Sequence, residues 1–151
     1  MGETSGSRRG SRRELSREEV DAVLETVGVG TLGLAADGQA YTIPVSFGYD
    51  GHALYFQLAI GENCKKVEYI EQTDRASFSV TRFEGADRWD SVSVVGELEQ
   101  VPGCDLDLAI ASMTENAVLA EFAAFDGMTD LSFCIVRLVP DEITSRTAHT
   151  A

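Results

Sequence analysis

The chain has 151 residues, 44% of them hydrophobic, and a formal net charge of −13; this fits one compact domain with a real core and excludes two ordinary domains. Its 12 basic residues against 25 acidic ones make a body that repels nucleic acid and anionic membranes, so neither is expected as a partner. No apolar run approaches the roughly 20 residues that a membrane helix needs, and the N-terminal arginines are followed by no apolar stretch of the secretory kind, so a cytoplasmic location is expected.

The charge is unevenly placed. Residues 1 to 17 hold five arginines against two glutamates, a net +3, while the other 134 residues hold seven basic and 23 acidic groups, a net −16. Arginine outnumbers lysine ten to two, and with acids throughout the composition resembles that of proteins from salt-loving organisms, whose cytosol screens such self-repulsion. Cys64, Cys104 and Cys134 are odd in number and widely spaced, which argues for idle or buried thiols and against a disulfide framework or a metal site.

In chain order, residues 1–14 read as a disordered basic tail. Ser16 and Glu19 form an S-x-x-E capping box with Leu15 and Val20 as its staple. Val20, Val23, Leu24 and Val27 then make one apolar helical face, which Gly28 ends in the left-handed conformation. From Val29 the period becomes two. Strands are expected at 29–36, 39–47 and 53–58, joined by Asp37-Gly38 as a type I′ hairpin and by Asp50-Gly51. Pro44, inside the second strand, cannot donate to a ladder; its place requires an edge, a bulge or a flat ligand where a strand would be. A short helix follows from Lys65. Strands are expected at 75–83 and 91–101 with a polar loop at 84–89 between them, and Gly96 marks a bend where a small barrel closes. Pro102-Gly103 breaks the chain, Asp105 caps a helical region reaching about Phe125, and a last strand runs over 131–139 with an extended segment 142–146 past Pro140. Residues 147–151 read as a second disordered tail, leaving 15–146 as the folded domain.

Six strands in a chain this short favour closure into a barrel, because closure removes the exposed edges of an open sheet. The only two lysines, Lys65 and Lys66, stand side by side where a strand ends and a helix begins. A helix N-terminus offers unpaired N–H groups and the positive end of a dipole, so the pair suits a phosphate; the alternative is a solvated turn. His52 lies beside a turn and His149 in the tail, so neither is placed as an acid or base. No G-x-S-x-G, H-E-x-x-H, Walker or G-x-G-x-x-G pattern occurs, and no catalytic side chain is assigned.

Several pieces, in order and spacing, carry a family resemblance: Val29-Gly30-Thr31-Leu32, Ile43-Pro44-Val45-Ser46-Phe47, Leu54-Tyr55-Phe56, Lys65-Lys66-Val67-Glu68-Tyr69-Ile70, Arg75-Ala76-Ser77-Phe78-Ser79-Val80 and Ser91-Val92-Ser93-Val94-Val95-Gly96. From about Ser16 to Arg146 the chain resembles the pyridoxamine 5′-phosphate oxidase-like flavin-binding split barrels. The resemblance implies a mainly β fold, a six-stranded split β-barrel, and a homodimer with FMN at its interface. It places the FMN phosphate on Lys65 and Lys66, the isoalloxazine edge on the backbone of Pro44, Val45 and Ser46, and polar contacts on Gln57 and Ser91. Trp89 either stacks on the ring or serves as an interface aromatic. Lys65 departs from the arginine common at its position, and Leu58 from the polar residue common at its own. The arginine cluster that relatives use for pyridoxal phosphate is not recognisable, so true pyridoxamine phosphate oxidase activity is not expected. The implied function is an FMN-dependent oxidoreductase of unknown substrate. Alternatives are a barrel that binds F420 or haem, or a non-catalytic flavin store or sensor.

Overall fold

A computed structural model describes residues 12–60, 65–101, 108, 110–112 and 132–149, without the side chains of 12, 59, 60, 65–67, 132–134 and 149. The expected helix around Asp105 to Phe125 lies mostly outside these residues, as do Cys64, Cys104 and Met113; helical backbone is described at Leu108 and at 110–112.

The strands are β1 (Arg12–Arg13), β2 (Val29–Ala36), β3 (Gln39–Tyr49), β4 (Leu54–Ile60), β5 (Arg75–Gly85), β6 (Arg88–Gln100) and β7 (Ser132–His149), with helices α1 (Arg17–Thr26) and α2 (Lys65–Gln72). Six of them close in the order β7-β4-β3-β2-β5-β6 and back to β7, every pairing antiparallel, and β1 adds two residues to β7. The mainly β, six-stranded barrel expected from the sequence is the fold. Its interior is filled by alternate residues: Leu32 and Leu34 of β2, Ile43, Val45 and Phe47 of β3, Phe56 and Leu58 of β4, Phe78 and Val80 of β5, Val92 and Val94 of β6, and Val136 and Leu138 of β7. Phe78 sits at the centre, with ring centroids 4.8 Å from Phe47 and 5.0 Å from Phe56.

Local signals explain the joints. Ser16 caps α1 and makes the full capping box with Glu19, and α1 buries Val20, Val23 and Leu24 against the core. Gly28, at φ 80°, ends it. Asp37 and Gly38 both have positive φ, 51° and 76°, as a type I′ hairpin demands. Tyr49 is buried; its hydroxyl donates to Asp21 Oδ1 of α1 at 2.6 Å, and Arg17 donates to Tyr49 Oη and to the Gly51 carbonyl. The barrel seam is β6 against β7, with a bulge between Val95 and Gly96. A Cβ on Gly96 would lie 1.9 Å from the Val139 carbonyl oxygen, so the seam closes only over a glycine.

Three expectations are corrected. The loop at 84–89 is a tight turn, since β5 reaches Gly85 and β6 starts at Arg88. The C-terminal segment is no tail to 149: β7 continues through Pro140, pairs Arg146, Thr147 and Ala148 with Ser91, Asp90 and Trp89, and buries Thr147 completely. Its inward positions carry hydroxyls, Ser145 accepting from Leu15 N–H at 2.9 Å and Thr147 donating to Asp90 Oδ1 at 2.6 Å, so hydrogen bonds replace the apolar period. At the other end, Arg12 and Arg13 pair with Ala148 and Thr147, and Arg13 holds Glu19 with two contacts of 2.9 Å.

Candidate functional site

The barrel is split between β3 and β4. Their hairpin is tight at its base, where the Asp50 carboxylate accepts from His52 N–H at 2.8 Å, Ala53 N–H at 2.7 Å and the Tyr55 hydroxyl at 2.7 Å. Burial works to raise the Asp50 carboxyl, but these hydrogen bonds together outweigh it and hold the group below the usual carboxylate range. From this base the pairs run Tyr49 with Leu54, Gly48 with Tyr55 and Phe47 with Phe56, and stop. Ser46 and Gln57 would form the next rung. Beyond it β3 continues seven residues back to Gln39 along β2 alone, while β4 continues to Ile60 along β7 alone.

The open edge of β3 has a defined chemistry. Phe47 N–H donates to the Gly28 carbonyl, so by strand alternation Val45, Ile43 and Tyr41 turn their backbone groups to β2. Ser46, Pro44 and Thr42 turn theirs into the gap. Pro44 lies opposite Thr31 as a non-hydrogen-bonded pair, with its nitrogen facing away from β2. Of the three explanations for an internal proline, the structure gives an edge. Val45 is buried in the core, so its side chain belongs to the barrel interior. Thr42 was not singled out by sequence, although it shares the exposed edge of β3 with Pro44 and the two-residue alternation from Pro44 points to it.

Helix α2 follows β4, one of the two strands that border the gap. It starts at Lys65, five residues after β4 ends, and its far half packs on the β2–β3 hairpin: Tyr69 stacks on Tyr41 at 4.9 Å, Tyr69 Oη lies 3.3 Å from Gln39 Oε1, and Thr73 bonds to Ala35. Eight residues make a helix about 12 Å long, so the end that carries Lys65 and Lys66 lies toward β4. Two ammonium groups in the first turn oppose the helix dipole, costing the isolated helix about 0.3 to 1 kcal/mol each unless an anion joins them. At the opposite end a surface cavity of about 240 Å³ is lined by Asp37, Gln39, Glu68, Tyr69 and Gln72, a set that repels anions.

The expected site residues therefore fall into two groups. Pro44 and Ser46 on β3 and Gln57 on β4 border one gap, and Lys65 and Lys66 open the helix that follows β4. Trp89 and Ser91 do not: along the outer face the register runs Pro44, Thr31, Ser79, Ser93, three strand spacings or about 14 Å, and Ser91 lies two residues further. Trp89 and Ser91 face outward on β6, half-buried, at the edge of an uncharged surface made by Thr31, Ser77, Ser79, Thr81, Ser93 and Thr144. Within one chain they cannot reach the gap. His52 sits at the closed base of the hairpin, also away from it.

A family model described as pyridoxamine 5′-phosphate oxidase matches residues 16–147. An uncharacterised protein of Rhizobium meliloti is 27% identical over 95 residues, and the match spans 61% of each chain, so the alignment leaves over a third of that relative's length unaccounted for. Among solved structures, a FAD-binding protein from Mesorhizobium loti is 26% identical with a TM-score of 0.73, covering 91% of this chain and 98% of its own. A FAD and heme binding protein from Mycobacterium smegmatis has a TM-score of 0.69 at 18% identity, covering 93% of this chain and 74% of its own, a likeness of fold.

Proposed function

Since the chain belongs to the pyridoxamine 5′-phosphate oxidase family, we propose that it binds a flavin in the gap between β3 and β4, with the flavin phosphate at the N-terminus of α2. One observation carries the reading: β3–β4 pairing ends after Phe47 and Phe56, and β4, which borders the gap so opened, leads into the helix that begins with both lysines of the chain. Lys65 and Lys66 hold the phosphate by charge-assisted hydrogen bonds. The backbone groups of Thr42 and Ser46 and the carbonyl of Pro44 meet the ring edge, and Gln57 donates to the ribityl chain or phosphate. When bound, the flavin supplies reversible one- and two-electron transfer; the chain supplies binding and orientation.

The protein works as a cytoplasmic homodimer in this reading. Trp89 and Ser91 of one subunit lie too far from their own gap, so they serve the gap of the partner, and the hydroxyl-rich patch of Thr31, Ser77, Ser79, Thr81, Ser93 and Thr144 on the outer face provides part of the contact between two strongly acidic bodies. The flavin is FMN, and the protein an oxidoreductase whose substrate is not pyridoxamine phosphate. FAD is the second reading, favoured by the Mesorhizobium loti protein. A deazaflavin such as F420 shares the ring-and-phosphate plan. Haem ranks below these because His52 lies at the wrong end of the hairpin to reach an iron in the gap.

Purified protein tests the proposal by its absorption spectrum. Bands near roughly 375 and 450 nm come from the flavin itself, and the released cofactor separates FMN from FAD. A colourless protein that neither flavin reconstitutes overturns the reading. A bound flavin that no electron donor reduces leaves a flavin store in place of an oxidoreductase.

A further inference from the structure

Strand alternation puts Ala36, Gln39 and Tyr41 on the face of the β2–β3 hairpin that continues into the core through Leu34 and Ile43. Helix α2 covers that face: Tyr69 stacks on Tyr41 at 4.9 Å, and Glu68, Tyr69 and Gln72 share one side of the helix. Between the two elements lies a surface cavity of about 240 Å³, lined by Ala36, Asp37, Gln39, Glu68, Tyr69 and Gln72. A water takes about 30 Å³ of liquid volume, so the cavity has the space of about eight waters, room for a short aliphatic chain with a charged group at each end.

Everything charged in this lining is negative. Asp37 stands at the hairpin tip and Glu68 on the helix, and neither has a basic partner among the described side chains. Arg75, the next basic residue along the chain, is engaged by Asp141 of β7. The helix adds to the same field. Both of its lysines stand in its first turn, while its last turn, which borders the cavity, holds Glu71 and no basic residue; the negative end of the helix dipole therefore adds to the preference for a cation there. Tyr69 gives an aromatic wall on which an alkyl chain or a cation packs. Gln39, whose Oε1 lies 3.3 Å from Tyr69 Oη, and Gln72 add amide oxygens that accept from N–H groups. Among the described residues no three His, Cys, Asp or Glu side chains gather as a metal ion requires. Two carboxylates on separate elements, beside an aromatic ring, suit an organic dication instead.

We infer that this cavity binds a short aliphatic diamine, one ammonium at Asp37 and the other at Glu68, with its chain against Tyr69. The inference uses residues of a single chain, at the end of α2 away from its lysines, and does not rest on the flavin reading.

Amide chemical shifts of the full nitrogen-labelled chain test it, with putrescine, butylamine, butanediol and magnesium chloride titrated in turn at one ionic strength. Putrescine should shift the amides of Asp37 to Gln39 and of Glu68 to Gln72 saturably. Asp37→Asn and Glu68→Gln should each weaken that binding about tenfold or more, as loss of a charge-assisted contact does. Asparagine tolerates the positive φ of position 37 and Glu68 is exposed, so both variants keep the fold, which circular dichroism verifies. Glu25→Gln removes the same charge from an exposed position of α1 and should leave the affinity unchanged. Butylamine, butanediol or magnesium ion binding as tightly as putrescine, equal weakening by Glu25→Gln, unchanged affinity in either cavity variant, or no saturable shift at these amides each overturns the inference.

Discussion

Thr31 and Pro44 stand opposite each other on β2 and β3 as a non-hydrogen-bonded pair, which turns the proline nitrogen away from the one neighbouring strand it has. The proline thus removes no ladder bond, and it keeps an N–H off the edge that faces the gap. Pro44→Ala should lose only the restriction that proline imposes on the unfolded chain, about 0.4 to 1 kcal/mol. Chemical denaturation measures it. A stabilised variant would mean that the new N–H joins a ladder and that the edge is not open.

The seam between β6 and β7 depends on Gly96. Its missing Cβ would sit 1.9 Å from Val139 O and 2.8 Å from Val139 C, backbone atoms that move only with the strand. Gly96→Ala should cost about 3 kcal/mol, the upper part of the usual range for overpacking, read as a lower denaturation midpoint.

Gly30 makes a different kind of room. A Cβ there would lie 2.4 Å from the tip of the Phe78 ring and 2.7 Å from Ser79 O. Gly30→Ala should destabilise by about 1 to 3 kcal/mol, and Phe78→Leu placed on top should recover part of that loss, because the two changes share one space. Strict additivity of the two costs would show that Phe78 is not the obstruction.

At alkaline pH Tyr49 contributes to the loss of stability. Burial first, then its hydrogen bond to Asp21 and that carboxylate's charge, push the phenol up to about 12, with Arg17 opposing. The folded value lies above the unfolded 10.0, so this contribution is fully present below pH 10 and is lost as pH rises toward 12. Stability measured across that window should fall in the wild type and fall less steeply in Tyr49→Phe. Equal slopes would contradict the assignment.

How much of this was legible depends on which force placed each residue. Ser16 with Glu19, and Asp37 with Gly38, act through local backbone geometry, and the structure has both where the sequence reading puts them. Gly96 was readable as a bend because only a close approach of two strands explains a glycine inside such an apolar run. The end of β7 was not, since Ser145 and Thr147 face inward through hydrogen bonds to Leu15 and Asp90, leaving no apolar period to find. In the site, Lys65 and Lys66 stood out by scarcity and Pro44 by its lost donor. The separation of Trp89 and Ser91 from Pro44 is a matter of register across three strands, which no local signal carries.

The central claim is that the N-terminus of α2 anchors a flavin phosphate, and titrating FMN and riboflavin against wild type and Lys66→Ala in the same molar salt tests it most directly. Only FMN carries the anion. Loss of a charge-assisted contact, about 1.5 to 3 kcal/mol, should weaken FMN by about tenfold to hundredfold and leave riboflavin and the denaturation midpoint nearly unchanged. Equal weakening of both flavins, or of neither, would contradict the account.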